Sequence, residues 1–220
     1  VLVLRNTNID DAGLAHIEAL TMLQSLDLLK TRISDSGLVY FQALTRLQYL
    51  NLTDTKISDD GLALLGSFTA LKGLQLSGTG ISDAGLKHIQ KLANIESLWI
   101  ADTQISDSGL VHLLGLEKIT SLHLGSTQIT DLGLTLIRSL RTLQHLFLFN
   151  TQVTDAGLVN LRALTALQSL HLAYTQVGDS GLIHIRELSN LRELDLGETQ
   201  ISDAGLAALQ LALPNCSIRT

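Results

Sequence analysis

A chain of 220 residues that is 45% apolar can bury a sizeable core, and none of its apolar runs approaches the length of a membrane span. A net charge of −6 argues against a nucleic-acid surface. The single cysteine, Cys216, excludes an internal disulfide framework and leans towards a reducing, intracellular compartment.

Residues 1–22 hold the end of a pattern that then returns along the whole chain. Its glycine recurs at Gly13, Gly37, Gly61, Gly85, Gly109, Gly133, Gly157, Gly181 and Gly205, always 24 residues apart. A fixed period of this length marks a stacked array of one structural unit. Val1 and Val3 begin part-way through a unit and are expected on an edge strand.

Leu23–Arg46 shows one full unit. Leu26 and Leu28 alternate with Ser25 and Asp27, which predicts a short strand with one buried face. Thr31, Ile33 and Asp35 follow, and Gly37-Leu38 opens a stretch in which Leu38, Phe41 and Leu44 form one stripe of a short helix. Neither element can bury its apolar side alone. Stacking joins the leucines into one core, with parallel strands on one side, helices on the other and right-handed crossovers. Nine such strands are expected, in sequence order.

Three columns have structural readings. The Thr hydroxyls, from Thr7 to Thr199, are expected to bond backbone of their own or adjacent turns as a ladder. Each Asp, such as Asp35, Asp107 or Asp131, is expected to precede a helix and accept from its free N–H groups. Each Gly is expected to allow neighbouring coils to approach closely through their backbones. A catalytic role would not need nine copies.

Leu146, Leu148, Thr151 and Val153, with their equivalents in the other turns, resemble the leucine-rich repeat family, with Thr where that family usually places Asn or Cys. The resemblance covers essentially the whole chain and is closest to 24-residue bacterial units. It implies an α/β leucine-rich-repeat solenoid, arc-shaped, with the parallel sheet concave and the helices convex. It also implies a single domain over residues 1–220 and a protein-binding role without catalytic residues. The first repeat is truncated. In the last, Ala212 breaks the register, Leu206, Leu209 and Leu213 trace a longer helix, Pro214 ends it, and Ile218 supplies a final strand stub.

The variable outward positions carry the functional information. Aromatic residues make up only 4% of the chain, yet Tyr49, Trp99, Phe147, Phe149 and Tyr174 fall on the outer face of the sheet. Trp99, His123, Phe147 and His171 share one strand position in four successive turns and should form a stripe, flanked by His145, Phe149 and Tyr174. Glu193, Asp195 and Glu198 lie at one side, suited to orient a basic partner group. Mutual shielding of sheet neighbours is the competing account of the aromatics.

His123, His145 and His171 lie on the same face, roughly 7–10 Å apart, with no carboxylate expected beside them, so no metal site is assigned. His16, His88, His112 and His184 share a convex helix column and are read as structural. The expected function is a protein- or peptide-binding scaffold without cofactor, monomeric rather than oligomeric. Self-assembly through the array ends or the sheet, and a histidine-centred metal site, are the alternatives.

Overall fold

The computed structural model describes residues 1–220. Its strands are β1 (Leu2–Val3), β2 (Ser25–Asp27), β3 (Tyr49–Asn51), β4 (Gly73–Gln75) and β5 (Ser97–Trp99), then β6 (Ser121–His123), β7 (His145–Phe147), β8 (Ser169–His171), β9 (Glu193–Asp195) and β10 (Ser217–Arg219). They form one open sheet in the order β1 to β10, every neighbouring pair parallel. Ten strands stand where nine were expected, because Ser217–Arg219 pairs fully with β9. The register is an unbroken 24-residue step, so Leu26, Leu50, Leu74 and Leu98 lie side by side.

Strands β2 to β10 are only three residues each because a 24-residue coil must also turn, form a helix and return. The helices are correspondingly short. Asp59–Leu65 and Asp131–Ile137 are α-helical, while Asp35–Phe41 and Asp107–Leu113 are 3-10. Asp203–Ala212 is the longest helix, and Leu213 and Pro214 follow it directly. Leu38, Phe41 and Leu44 are buried, as are their equivalents in the inner coils, and 56 residues make one continuous core between sheet and helices. No helix is long and apolar enough to cross a membrane.

Of the three columns, Thr bonds backbone as expected, while Asp and Gly behave differently from the expectation. All the Thr hydroxyls bond within their own turn. Thr31 Oγ1 donates to Leu28 O at 2.7 Å, Thr103 Oγ1 to Ile100 O at 2.6 Å and Thr151 Oγ1 to Leu148 O at 2.6 Å. Each hydroxyl satisfies a carbonyl at the strand exit; it does not link coils.

The link is the Asp column. Asp35 accepts from Ser58 N at 2.9 Å and from Ser58 Oγ at 2.5 Å, and Asp83 accepts from Ser106 N at 2.8 Å and from Ser106 Oγ at 2.5 Å. The carboxylate therefore clasps the next coil, while the residue before it caps its own helix. Ser82 Oγ, for example, accepts from Ala84 N at 3.3 Å. The Gly column makes room for this clasp. A Cβ on Gly61 would fall on Asp35 Oδ1 and press on Leu38 Cδ1, and the same holds at Gly109 against Asp83 and Leu86. From Gly37 onward, what approaches each column glycine most closely is a side chain of the preceding coil, not its backbone.

Each turn also holds a left-handed residue that the repeat pattern does not announce. The residue before each column Thr is left-handed, from Asn6 (φ 59°) through Lys30 (φ 53°) and Asp102 (φ 52°) to Glu198 (φ 55°). Asn, Asp and Gly accept this conformation readily; Lys30, Tyr174 and Glu198 hold it against their intrinsic preference.

Candidate functional site

Strand alternation turns two residues of each strand away from the core, and the 24-residue register lines them into two columns. One column reads Gln75, Trp99, His123, Phe147, His171, Asp195 and Arg219 across β4 to β10. The other reads Tyr49, Gly73, Ser97, Ser121, His145, Ser169 and Glu193.

The first column is a continuous stack of rings. Trp99 and His123 have centroids 5.4 Å apart with a 38° tilt. His123 and Phe147 stack at 4.7 Å and 9°, and Phe147 and His171 at 4.5 Å and 24°. Phe149 adds an edge-on contact to His123 at 5.3 Å and 89°. It leans over Gly125, where a Cβ would meet its ring carbons at 2.5 Å. Stacked and edge-on pairs of this kind add about 0.5–1.5 kcal/mol each beyond area burial.

On this outer face the rings of the stack shield one another. Trp99, Phe147 and Phe149 are each half-buried by their neighbours, and only Tyr49 (50%) and Tyr174 (63%) are exposed. Tyr174 lies beyond β8 in the left-handed turn position and joins no ring stack. Glu198 occupies the same turn position one coil later and is exposed. His145 lies in the second column between Ser121 and Ser169, beside the stack and outside it.

The absence of a carboxylate near the histidines is corrected. His171 Nδ1 lies 3.7 Å from Asp195 Oδ2, and its Nε2 lies 3.9 Å from Glu193 Oε2. Ser169 Oγ is 3.1 Å from His171 Nε2 and 3.2 Å from Glu193 Oε2. Arg219 Nη1 approaches Asp195 Oδ2 at 3.7 Å, and Gly197 N donates to Asp195 Oδ1 at 3.1 Å. Serine, imidazole and carboxylate are thus adjacent. The backbone beside them is committed, however, since Ser169 N donates to Gln144 O and Leu172 N to Asp195 O. An oxyanion at Ser169 would find no free pair of backbone donors in these groups. No group of three or more His, Cys, Asp or Glu side chains is arranged to hold a metal ion.

His123 is the electrostatic centre of the stack. Its pKa is lowered from 6.5 to about 4, first by burial and then by the nearby charge of His171. Its Nδ1 is buried without a hydrogen-bond partner. At neutral pH it is therefore an uncharged ring between two aromatic neighbours.

The convex histidines have a different setting. His16 is exposed, while His88, His112 and His184 are half-buried beside the helical core stripe.

The sequence pattern of the leucine-rich repeat family matches residues 19–41, 43–66, 115–137, 163–185 and 187–209, together more than half of the chain. The chain belongs to the leucine-rich repeat family. Two internalins of Listeria monocytogenes share its structure. An internalin, inlF, superposes with a TM-score of 0.75 at 27% identity, over 99% of this chain and 66% of its own. Internalin C2 superposes with a TM-score of 0.71 at 30% identity, over 96% of this chain and 84% of its own. A leucine-rich repeat protein of Leptospira interrogans, at 20% identity, shares the fold with a TM-score of 0.66 over all of this chain and 60% of its own. The chain thus spans about two thirds or less of two of these three repeat proteins. No curated protein matches it significantly in sequence. Leucine-rich repeats commonly mediate protein–protein interaction, and the site of this repeat protein is to be sought where its coils differ.

Proposed function

We propose that the chain is a non-catalytic scaffold that binds a protein or peptide across the outer face of its sheet. The observation that carries this is the ring stack from Trp99 to His171, four side chains in register on strands β5 to β8. Scaffold positions of the array repeat in every coil; these four do not. A stack already half-buried and fixed by its neighbours loses little side-chain freedom on binding, which favours affinity. Tryptophan and its aromatic neighbours are the residue types that dominate binding hot spots.

The ends of the stack differ in chemistry. Beyond His171 stand Glu193 and Asp195, with Glu198 in the following turn. Asp195 is engaged by Arg219 and Gly197, so Glu193, whose side chain is 59% exposed, and the exposed Glu198 are the carboxylates open to a partner. The fitting partner is an extended segment with apolar or aromatic side chains over Trp99 and Phe147, and a Lys or Arg near Glu193.

The test is selection of binders from a library of extended peptides, followed by affinity measurement on variants. Phe147→Ala should weaken selected binders about tenfold or more while leaving the fold intact. Equal affinity for Phe147→Ala and the parent chain would reject the assignment.

A further inference from the structure

The sheet face has a second region that the ring stack does not use. Over β2 to β5 lies a shallow depression of about 350 Å³, lined among others by Ser25, Tyr49, Asn51, Gly73, Gln75 and Ser97. Its floor is Gly73, the glycine of the second outward column, and the Tyr49 ring lies against it, with Cδ1 2.8 Å from where a Cβ would stand. The phenol ring rests on Gly73, is 50% exposed, and stands beside a row of amides and hydroxyls.

Most of those polar groups are not consumed by the protein. Asn51 Oδ1 accepts from Thr53 N at 3.0 Å, which fixes the side chain and leaves its amide nitrogen without a partner in the protein. The Gln75 side chain and the Ser25 and Ser97 hydroxyls make no hydrogen bond within the protein, in contrast to Ser169 at the other end of the same column. The local charge is already matched. Arg5 Nε lies 3.5 Å from Asp27 Oδ2, Leu29 N donates to Asp27 Oδ1 at 3.1 Å, and Lys72 pairs with Glu96 at 3.6 Å. Neither a free cation for an anionic ligand nor a free carboxylate for an amine faces the site.

We propose that this depression is a binding subsite for a neutral carbohydrate, one or two pyranose rings of a glycan. A pyranose offers an apolar C–H face and a rim of vicinal hydroxyls, each both donor and acceptor. The Tyr49 ring receives the C–H face, the Asn51 amide nitrogen donates to one hydroxyl, and the planar amide of Gln75 meets adjacent hydroxyls with donor and acceptor at once. An apolar peptide side chain would instead strand those amides and hydroxyls without partners, at a cost of about 1–3 kcal/mol per group. Gln75 is the register neighbour of Trp99, so the subsite adjoins the ring stack and shares no other column position with it.

Saturation-transfer NMR and calorimetry with two neutral trisaccharides, cellotriose and chitotriose, test the subsite on the whole chain. At least one should bind at millimolar concentration, with transfer to its ring C–H protons, and binding should be insensitive to added salt. Tyr49→Ala and Gln75→Ala should each weaken it by about tenfold, while Tyr49→Phe retains it. Phe147→Ala should leave it unchanged while weakening peptide binding about tenfold or more, which separates this subsite from the proposed peptide site. No binding of either trisaccharide, binding unaffected in both Tyr49→Ala and Gln75→Ala, or peptide binders that need Tyr49 and Gln75 in its place would each overturn the proposal. Unchanged melting of the variants confirms that loss of binding is not loss of fold.

Discussion

Asp107 of one coil holds both the backbone N–H and the hydroxyl of Thr130 in the next, at 2.9 and 2.6 Å. Thr130 Oγ1 in turn accepts from Leu132 N at 3.2 Å, so one side chain caps its own helix and ties it to the coil before. Gly133 lacks the Cβ that would collide with Asp107 Oδ1. The string Thr-Asp-x-Gly is therefore one device spread over two coils.

Replacing Asp107 by Ala removes two hydrogen bonds to an ionised acceptor. Such bonds contribute about 1.5–3 kcal/mol each, and the loss is partly offset by hydration of the half-exposed partners, so about 2–3 kcal/mol is expected in total. Asp107→Asn should cost less, since one acceptor oxygen remains. Urea unfolding measures both. A loss no larger than that of an isolated helix cap, about 1 kcal/mol, would mean the clasp between coils carries nothing.

The clasp is incomplete at one joint. Asp155 accepts from Gly178 N at 2.7 Å, but glycine has no hydroxyl for its second oxygen. Gly178 has an ordinary extended backbone (φ −129°), and a Cβ there would meet only atoms at 3.5 Å or beyond. Gly178→Ser should therefore stabilise the chain by about 1 kcal/mol, and Gly178→Ala by less. Equal effects of Ser and Ala would show that backbone entropy, not the hydroxyl, is responsible.

Much of this was legible in the sequence, and the exceptions have physical causes. The invariant period fixed the strand register, and with it the alignment of Trp99, His123, Phe147 and His171, because a one-residue slip would turn every side chain to the wrong face. The role of Asp107 was not legible, since an acid just before a helix has the same local spacing whether it caps that helix or reaches the next coil. Only the distance between coils decides, and that distance exists only after stacking. Glu193 and Asp195 were seen as the last turn's acids, yet their register with Ser169 and His171 makes them the histidine's partners. The left-handed turn was hidden because Lys30, Tyr174 and Glu198 are not residues that announce it.

Thr127 Oγ1 donates to Leu124 O in its own turn, and the residue is buried. Thr127→Val preserves shape and strands that carbonyl, for an expected loss of about 1–2 kcal/mol. An unchanged denaturation midpoint would show that the carbonyl finds another donor.

The pH dependence of stability should carry the mark of His123. Its folded pKa, about 4, lies below the unfolded value of 6.5, so the unfolded chain takes up the proton first. Stability from this residue is complete above pH 6.5 and is lost as pH falls from 6.5 through 4. His123→Phe keeps a stacked ring and removes the titration. Urea unfolding of this variant should show a flatter profile across that window than the parent; identical profiles would assign the slope to other groups.

The ring stack is proposed as the surface a partner covers. Trp99 is the chain's one tryptophan and the first ring of that stack, so its fluorescence reports on the site alone. Titration with a selected peptide binder should shift Trp99 emission to the blue and protect it from acrylamide quenching, with the same dissociation constant that calorimetry gives. A binder that saturates the chain while Trp99 emission and quenching stay unchanged would contradict the account.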